Sequence, residues 1–410
     1  MKNEIIYTPP PDKSITIRWL VISSISNKKT VIINPLFCDD TINTIKTLQK
    51  LGVKIKIENK KIIVWGKSLK DFKKEIINVG ESALLLNLIL PILINQKHKY
   101  KIYGKKTILR RSFKETITSL SKLGAKIEHK NFKLPFKTFP SKLKSKLIKT
   151  SSAQVKSLAL ISGIYIGKIK IKENLITRDH TEIILKKCGC KINIKGNLIE
   201  LKSVKLNTPN KVTVVGDISN ASPFITLAIF TGRKIIVKNC GINPRRTGFL
   251  EKIKEAGIKI KFKNKRIISG EKVSDIFITP SKNLKGLKIK RNEIPYFIDE
   301  FMLLCLILGK AKNASIIYGV DRLKNKESDR LQETINILKK LGVKTKYNKN
   351  KLIIYPVKEF KNPEIIDTKN DHRIAMLGGI LKKIFTNIKI KNPNCIKKTY
   401  PFFFNDIEKL

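Results

Sequence analysis

Lys324-Asn325-Lys326-Glu327-Ser328-Asp329-Arg330 sets two lysines, an arginine and two carboxylates within seven residues. A helix-like run, Leu331 to Leu341, follows, and Ser328 or Asp329 is placed to cap it. Cations at a helix N-terminus oppose the helix dipole and by themselves destabilise it. That cost is offset if an anion binds there, because backbone N–H groups and cations together hold phosphate well. A solvated, charged helix start has the same residue types, so the stretch gains meaning only from its counterparts elsewhere. Those counterparts exist. Polar or charged groups stand just ahead of apolar runs at Lys13-Ser14 with Arg18, at Gly80-Glu81-Ser82, at Ser151-Ser152 with Gln154, at Gly216-Asp217-Ile218-Ser219, at Asp299, and at Asn370-Asp371-His372-Arg373. Each group reads as a helix cap or as part of an anion trap built from helix N-termini.

The elements that would carry these groups repeat. A helix-like run ends in Gly, an alternating Lys-rich strand follows, then a turn and a second strand. The pattern recurs at Leu51-Gly52-Val53, Leu123-Gly124-Ala125, Cys188-Gly189-Cys190, Ala256-Gly257-Ile258 and Leu341-Gly342-Val343. The glycine suits a positive-φ helix terminus, and the Val/Ile–Lys alternation gives a strand with one dry and one wet face. At least five copies of an α/β unit therefore fill the chain, with room for a sixth. Other helices are apolar nearly all round: Ala83–Ile94, Gln154–Tyr165, Ala221–Phe230 and Glu300–Leu308, with shorter runs Trp19–Ile25 and Ile374–Leu381. These are expected inside, with sheets outside them.

A chain of 410 residues exceeds one ordinary core, so two domains are expected. The +53 formal charge would ordinarily suggest nucleic acid. Here the lysines are spread evenly and come with abundant Ile and Asn, residues that share A/T-rich codons, so base bias explains the excess. No finger, basic arm or interleaved aromatic cluster supports a nucleic-acid reading. No run of about 18 uncharged apolar residues predicts a membrane span, and the first residues, Met1 to Glu4, lack a signal-peptide core. The six Cys form no CxxC pair and only four His are present, which argues against a zinc framework. Free thiols in the cytoplasm are the expectation.

With these motifs in order, the chain resembles the 5-enolpyruvylshikimate-3-phosphate synthase family, the 3-phosphoshikimate 1-carboxyvinyltransferases of the shikimate pathway to chorismate and the aromatic amino acids. The likeness runs through Asp12-Lys13-Ser14 with Arg18, Leu109-Arg110-Arg111, Ser152-Ala153-Gln154-Val155-Lys156-Ser157, Thr177-Arg178-Asp179-His180-Thr181-Glu182, Gly216-Asp217-Ile218-Ser219, Asn243-Pro244-Arg245-Arg246-Thr247-Gly248, Ile298-Asp299-Glu300, Lys326 to Arg330, Asn370 to Met376 and Lys398 to Pro401. It implies a two-domain inside-out α/β barrel, the enolpyruvyl transferase fold, built from six α/β units. The first domain would be residues 12–214 and the second residues 1–11 plus 215–410, with the active site in the cleft between them and closure of the domains excluding water.

The resemblance implies transfer of the enolpyruvyl group of phosphoenolpyruvate to the 5-hydroxyl of shikimate 3-phosphate, with release of phosphate. Lys13, Arg111, Arg330, Arg373 and Lys398 would surround phosphoenolpyruvate. Lys13, Ser14, Arg18, Ser152, Gln154, Thr177, Arg178, Asp299 and Lys326 would hold shikimate 3-phosphate. Asp299 would act as base toward the hydroxyl, Glu327 as acid toward the methylene, and Lys398 would share proton transfer. No metal or organic cofactor, nucleic acid or membrane is implied, and a monomer is expected. The alternatives are a decayed homologue that folds without turning over, or a basic nucleic-acid-binding protein.

Five positions depart from the family. Ala83 and Asn87 stand where the family has Gly and Arg, so one cation near phosphoenolpyruvate is lost and a methyl group is added where the inhibitor glyphosate fits. Ser112, Asn325 and Arg322 also differ, standing where the family prefers Pro, Val and, in some members, Asn. Reduced glyphosate sensitivity is the expected outcome; tight inhibition competitive with phosphoenolpyruvate in a steady-state assay would refute it.

Overall fold

A computed structural model describes residues 4–69, 72, 73 and 75–410, so the first three residues of the expected 1–11 segment lie outside the described ones. The repeating unit is clearest at Ile76–Phe139. The strand Ile76–Asn78 pairs in parallel with Tyr100–Tyr103, the apolar helix Ala83–Ile94 connecting them. Tyr100–Tyr103 pairs antiparallel with Lys133–Phe139, and that strand with Lys126–Lys130. A parallel pair needs such a helical crossover, whereas the antiparallel pair needs only a tight turn. The same order recurs in the sheets containing Lys168–Glu173 and Ser315–Tyr318.

Two sheets borrow their first strand from a distant part of the chain. Lys29–Ile33 pairs in parallel with Lys211–Thr213, and Lys234–Gly241 pairs in parallel with Glu4–Tyr7. Among the described residues there are thus five four-stranded sheets and one two-stranded sheet, Ile365–Asp367 with Lys389–Lys391. In this sixth unit a 3-10 turn, Pro393–Lys398, and the short helix Phe403–Glu408 follow the second strand in place of a hairpin. The expected six α/β units are present, the last shortened.

The borrowed strands divide the chain into two compact units. One comprises Met1–Pro10, Val215–Ile267 and Lys272–Leu410; the other comprises Pro11–Val214 and Ile268–Glu271. Compared with the expected division at 11/12 and 214/215, the first boundary moves by one residue. The hairpin tip 268–271 also joins the other unit, because Ser269 Oγ accepts from Thr213 N at 2.8 Å and Glu271 pairs with His180 at 2.7 Å.

The apolar helices are buried as expected. Every residue of Ala83–Ile94 and of Phe301–Leu308 is buried. The helices begin earlier than their apolar runs: Lys13–Ser24 rather than Trp19–Ile25, Ala153–Ile166 rather than Gln154–Tyr165, and Ile218–Thr231 rather than Ala221–Phe230. The polar first turns are retained because caps satisfy their N–H groups. Asp12, Ser82, Ser152, Asp217 and Asp371 each accept such a bond. Asp299 differs from its expected structural role: Glu300 occupies the cap position of Phe301–Leu308 and makes no side-chain cap bond, leaving Asp299 one residue outside the helix. Among the described residues no helix is long and apolar enough to cross a membrane.

All five repeat glycines have positive φ, from +80° at Gly342 to +110° at Gly257. At Gly257 an added Cβ would also come within 3.1 Å of the Asn283 carbonyl oxygen. Gly257→Ala is expected to cost about 1–2 kcal/mol through backbone strain; an unchanged urea midpoint would contradict this.

Candidate active site

Arg330 opens the helix Arg330–Lys340 and is only 2% exposed. Asp329, one of the two expected caps, accepts from Gln332 N at 3.0 Å. Ser328 is therefore available to donate to Asp371 Oδ2 at 3.0 Å. A buried cation at a helix N-terminus is doubly unfavourable, and three carboxylates offset it. Arg330 Nε and Nη2 donate to Asp371 at 2.8 and 3.2 Å, Nη2 also donates to Glu327 Oε2 at 2.8 Å, and Nη1 donates to Asp299 Oδ1 at 3.1 Å. Burial works against the charge, but Asp371, Glu327 and Asp299 more than offset it and hold the guanidinium above its ordinary pKa. Four of its five N–H donors are thereby engaged.

Three elements meet at this guanidinium: its own helix, the turn that ends at Glu300, and the cap of His372–Ile384. Asp371 makes that cap, accepting from Arg373 N at 2.9 Å while bonding Arg330. Arg373 is aimed by a second device. Its Nη1 donates to the Ser219 carbonyl at 3.0 Å. That carbonyl would ordinarily accept from residue 223, but Pro223 has no N–H, so the lone pair is open to the guanidinium. Ser219 is itself fixed: its hydroxyl donates to buried Glu300 and accepts from Arg246 Nη2 at 2.7 Å, and Arg246 also pairs with Asp217 at 3.0 Å.

Lys398 is buried at the end of Pro393–Lys398, with Nζ 3.5 Å from Glu327 Oε1. Its segment is anchored two residues on, where the Tyr400 hydroxyl donates to Asp406 at 2.7 Å and meets the Tyr7 hydroxyl at 2.9 Å. Tyr7 in turn stacks on Phe224 with ring centroids 3.9 Å apart, so the borrowed N-terminal strand helps fix this segment. Lys326 is half-buried in the loop one residue before Glu327. Asp299, Glu327, Arg330 and Lys398 thus come together, with Arg373 joined through Asp371.

The remaining expected residues belong to the other unit. Lys13 Nζ pairs with Asp40 Oδ2 at 2.9 Å. Arg18 is buried and donates to Thr181 Oγ1 at 2.8 Å, Ser157 Oγ at 3.2 Å and the Ser14 carbonyl at 3.2 Å. Ser152 caps Ala153–Ile166, accepting from Val155 N at 3.4 Å. Thr177 directs its N–H and hydroxyl to Glu173 Oε1. Arg178 is half-buried in the following turn, and half-buried Arg111 lies with its guanidinium carbon 5.9 Å from the Phe113 ring centroid.

At the departing positions, Ala83 is the first residue of its helix and buried. Asn87 accepts from Thr116 Oγ1 at 2.9 Å and donates to the Ala83 carbonyl at 2.8 Å and to Gln154 Oε1 at 3.5 Å. The Asn87 amide is therefore bonded within its own helix and to two neighbouring helices.

The model of the family described as EPSP synthase (3-phosphoshikimate 1-carboxyvinyltransferase) matches residues 2–407. The chain belongs to the EPSP synthase family. A protein of Thermoanaerobacter sp. (strain X514) named 3-phosphoshikimate 1-carboxyvinyltransferase is 36% identical over 99% of this chain and 97% of its own. One of the same name from Sulfurihydrogenibium sp. (strain YO3AOP1) is 34% identical over 98% and 96%. The solved EPSP synthase of Acinetobacter baumannii superposes with a TM-score of 0.84 at 27% identity, covering 99% of this chain and 95% of that one. The EPSP synthase fold, two domains of α/β units, is thus the fold of this chain.

The sequence placed Asp371 and Ser219 only in groups read as helix caps or anion-trap members, and gave Arg246 and Lys156 no role. Lys156 could have been found, as the one charged residue inside a helix that is apolar nearly all round. Glu327 stands three residues before Arg330, but the convergence of Asp299 and Asp371 from distant segments on the same guanidinium had no local signature. Asp371→Ala removes a cap and a buried partner of Arg330, and is expected to destabilise by about 3–5 kcal/mol. Asp329→Ala removes a cap alone and should cost about 1 kcal/mol. Equal losses in chemical denaturation would show that the buried pairing contributes nothing.

Proposed function

We propose that this protein is a 3-phosphoshikimate 1-carboxyvinyltransferase that moves the enolpyruvyl group of phosphoenolpyruvate to the 5-hydroxyl of shikimate 3-phosphate and releases phosphate. The observation that carries the reading is the pair of carboxylates, Asp299 and Glu327, held on one buried guanidinium, with Lys398 at the second oxygen of Glu327. The matching relatives named for this activity span nearly the whole chain, which supports it.

In this reading the chemistry is addition followed by elimination. A proton goes to the methylene carbon of phosphoenolpyruvate, the 5-hydroxyl attacks the adjacent carbon and gives up its proton, and phosphate then leaves as a proton departs from the new methyl group. Asp299 serves as base toward the hydroxyl and Glu327 as acid toward the methylene, with Lys398 beside it for proton exchange. Arg330 has one N–H left for a ligand while it bonds three carboxylates. Arrival of phosphoenolpyruvate would compete for those donors, releasing Asp299 and Glu327 from their ion pairs. Its negative charge also offsets the two cations beside Glu327, favouring the protonated acid.

The reading draws on residues of both units. Lys13 and Arg111 from one, and Arg330, Arg373 and Lys398 from the other, supply cations for phosphoenolpyruvate. Ser14, Arg18, Ser152, Gln154, Arg178 and Lys13, with Asp299 and Lys326, serve shikimate 3-phosphate, and Thr177, whose N–H and hydroxyl go to Glu173, serves it by placing Arg178. Arginine forks suit carboxylate and phosphate, and lysine adds a point charge. A cytoplasmic monomer without a nucleic-acid partner completes the proposal.

The test is phosphate release from phosphoenolpyruvate, with and without shikimate 3-phosphate, for the wild type and Glu327→Gln. Release that depends on shikimate 3-phosphate is expected, falling on the order of 10²- to 10⁴-fold in the variant. Folded wild-type protein that releases none would refute the reaction, and an unimpaired variant would refute the role of Glu327.

A further inference from the structure

The strand Lys168–Glu173 turns Ile169, Ile171 and Glu173 inward; the third is a carboxylate only 2% exposed. The helix Ala153–Ile166 meets it with Lys156, which is fully buried. Lys156 Nζ lies 3.0 Å from Glu173 Oε1 and 2.7 Å from Glu182 Oε1, and it donates to the Thr177 carbonyl at 3.2 Å. Glu173 Oε1 accepts from the Thr177 N–H at 2.9 Å and from its hydroxyl at 2.5 Å. The backbone of Glu173 is itself tied to Asn197, by Glu173 N to Asn197 O at 2.8 Å and Asn197 Nδ2 to Glu173 O at 3.0 Å.

Stability alone gives no reason for this cluster. Buried ion pairs replaced by apolar side chains of similar volume are often neutral or better. What the charges add is direction: charge-assisted hydrogen bonds fix the N–H, the carbonyl and the side chain of one residue, Thr177. Both donors of Thr177 point to Glu173, so the group that this segment offers to an anion is the guanidinium of the next residue, Arg178.

We propose that Lys156, with Glu173 and Glu182, is a positioning residue that fixes the Thr177–Arg178 segment and so sets affinity for the phosphorylated acceptor without touching it. The inference rests on the reading above, that this segment holds shikimate 3-phosphate. A segment held within a fraction of an ångström binds without a further ordering cost; loosening it raises KM while leaving the reacting groups in place.

The test is the double variant Lys156→Met with Glu182→Leu, which keeps the interior filled and removes one cation and one carboxylate together, leaving Glu173 bonded to Thr177 while the bond to the Thr177 carbonyl is lost. KM for shikimate 3-phosphate is expected to rise about tenfold or more, with kcat and KM for phosphoenolpyruvate within about threefold of wild type. Glu182→Gln, which removes one carboxylate but leaves Lys156 bonded to Glu173 and Thr177, is expected to raise KM by less than the double variant. Should the double variant lose its thermal transition, Glu173→Gln removes the shared charge at constant size and gives the same split. Calorimetric binding of shikimate 3-phosphate is read alongside. Wild type that binds and turns over shikimate 3-phosphate, with an unchanged KM in the folded variant, overturns the positioning role. Wild type that neither binds nor turns it over overturns the reading on which it rests.

Discussion

The unit that carries Asp299 and Glu327 depends on the accommodation of one buried arginine. Arg330 sits where a cation is least welcome, inside the protein and at the positive end of a helix. Only the arrival of Asp299, Glu327 and Asp371 from three separate segments makes that placement stable. The arrangement serves two ends at once. The carboxylates stabilise the arginine, and the arginine fixes the carboxylates, which the proposed reaction uses as proton donor and proton acceptor. An anionic substrate that competes for the same N–H groups would convert a resting ion-pair network into a reactive one.

The other unit uses charge in a different way. Around Arg18 and Lys156 the cations are tied to hydroxyls, carbonyls and carboxylates of the surrounding helices, strand and loop. Helix caps recur as the common device. Ser152 and Asp371 each satisfy a helix N-terminus, and each lies in a segment whose residues are assigned to ligands. A side chain can hold both roles because a cap consumes only part of a carboxylate's or hydroxyl's hydrogen-bonding capacity. Evenly distributed lysines, by contrast, alternate with buried Ile and Val along the strands and form a wet face.

Much of the repeat could be read from the chain. Glycines at 52, 124, 189, 257 and 342 mark the ends of amphipathic helices, and each has a positive φ. The apolar helix Ala83–Ile94 has the bounds expected from composition alone. Helix starts were less legible, since polar first turns such as Ile218 to Asn220 interrupt the apolar pattern. The motifs around Glu327, Arg373 and Lys398 identified the family and the residue types at stake.

The sequence by itself determined the repeat, the dry and wet faces of its strands, the buried helices and the family, because these depend on periodicity and on short ordered motifs. The tertiary structure alone decided which strand completes which sheet, since parallel pairing of Glu4–Tyr7 with Lys234–Gly241 joins segments with no local signal between them. It also decided that Asp299 stands outside its helix, that Pro223 frees a carbonyl for Arg373, and that Lys156 is buried between two glutamates. Each of these depends on side chains from distant segments meeting in a low-dielectric interior, where a charge is tolerated only if its partners are already in place.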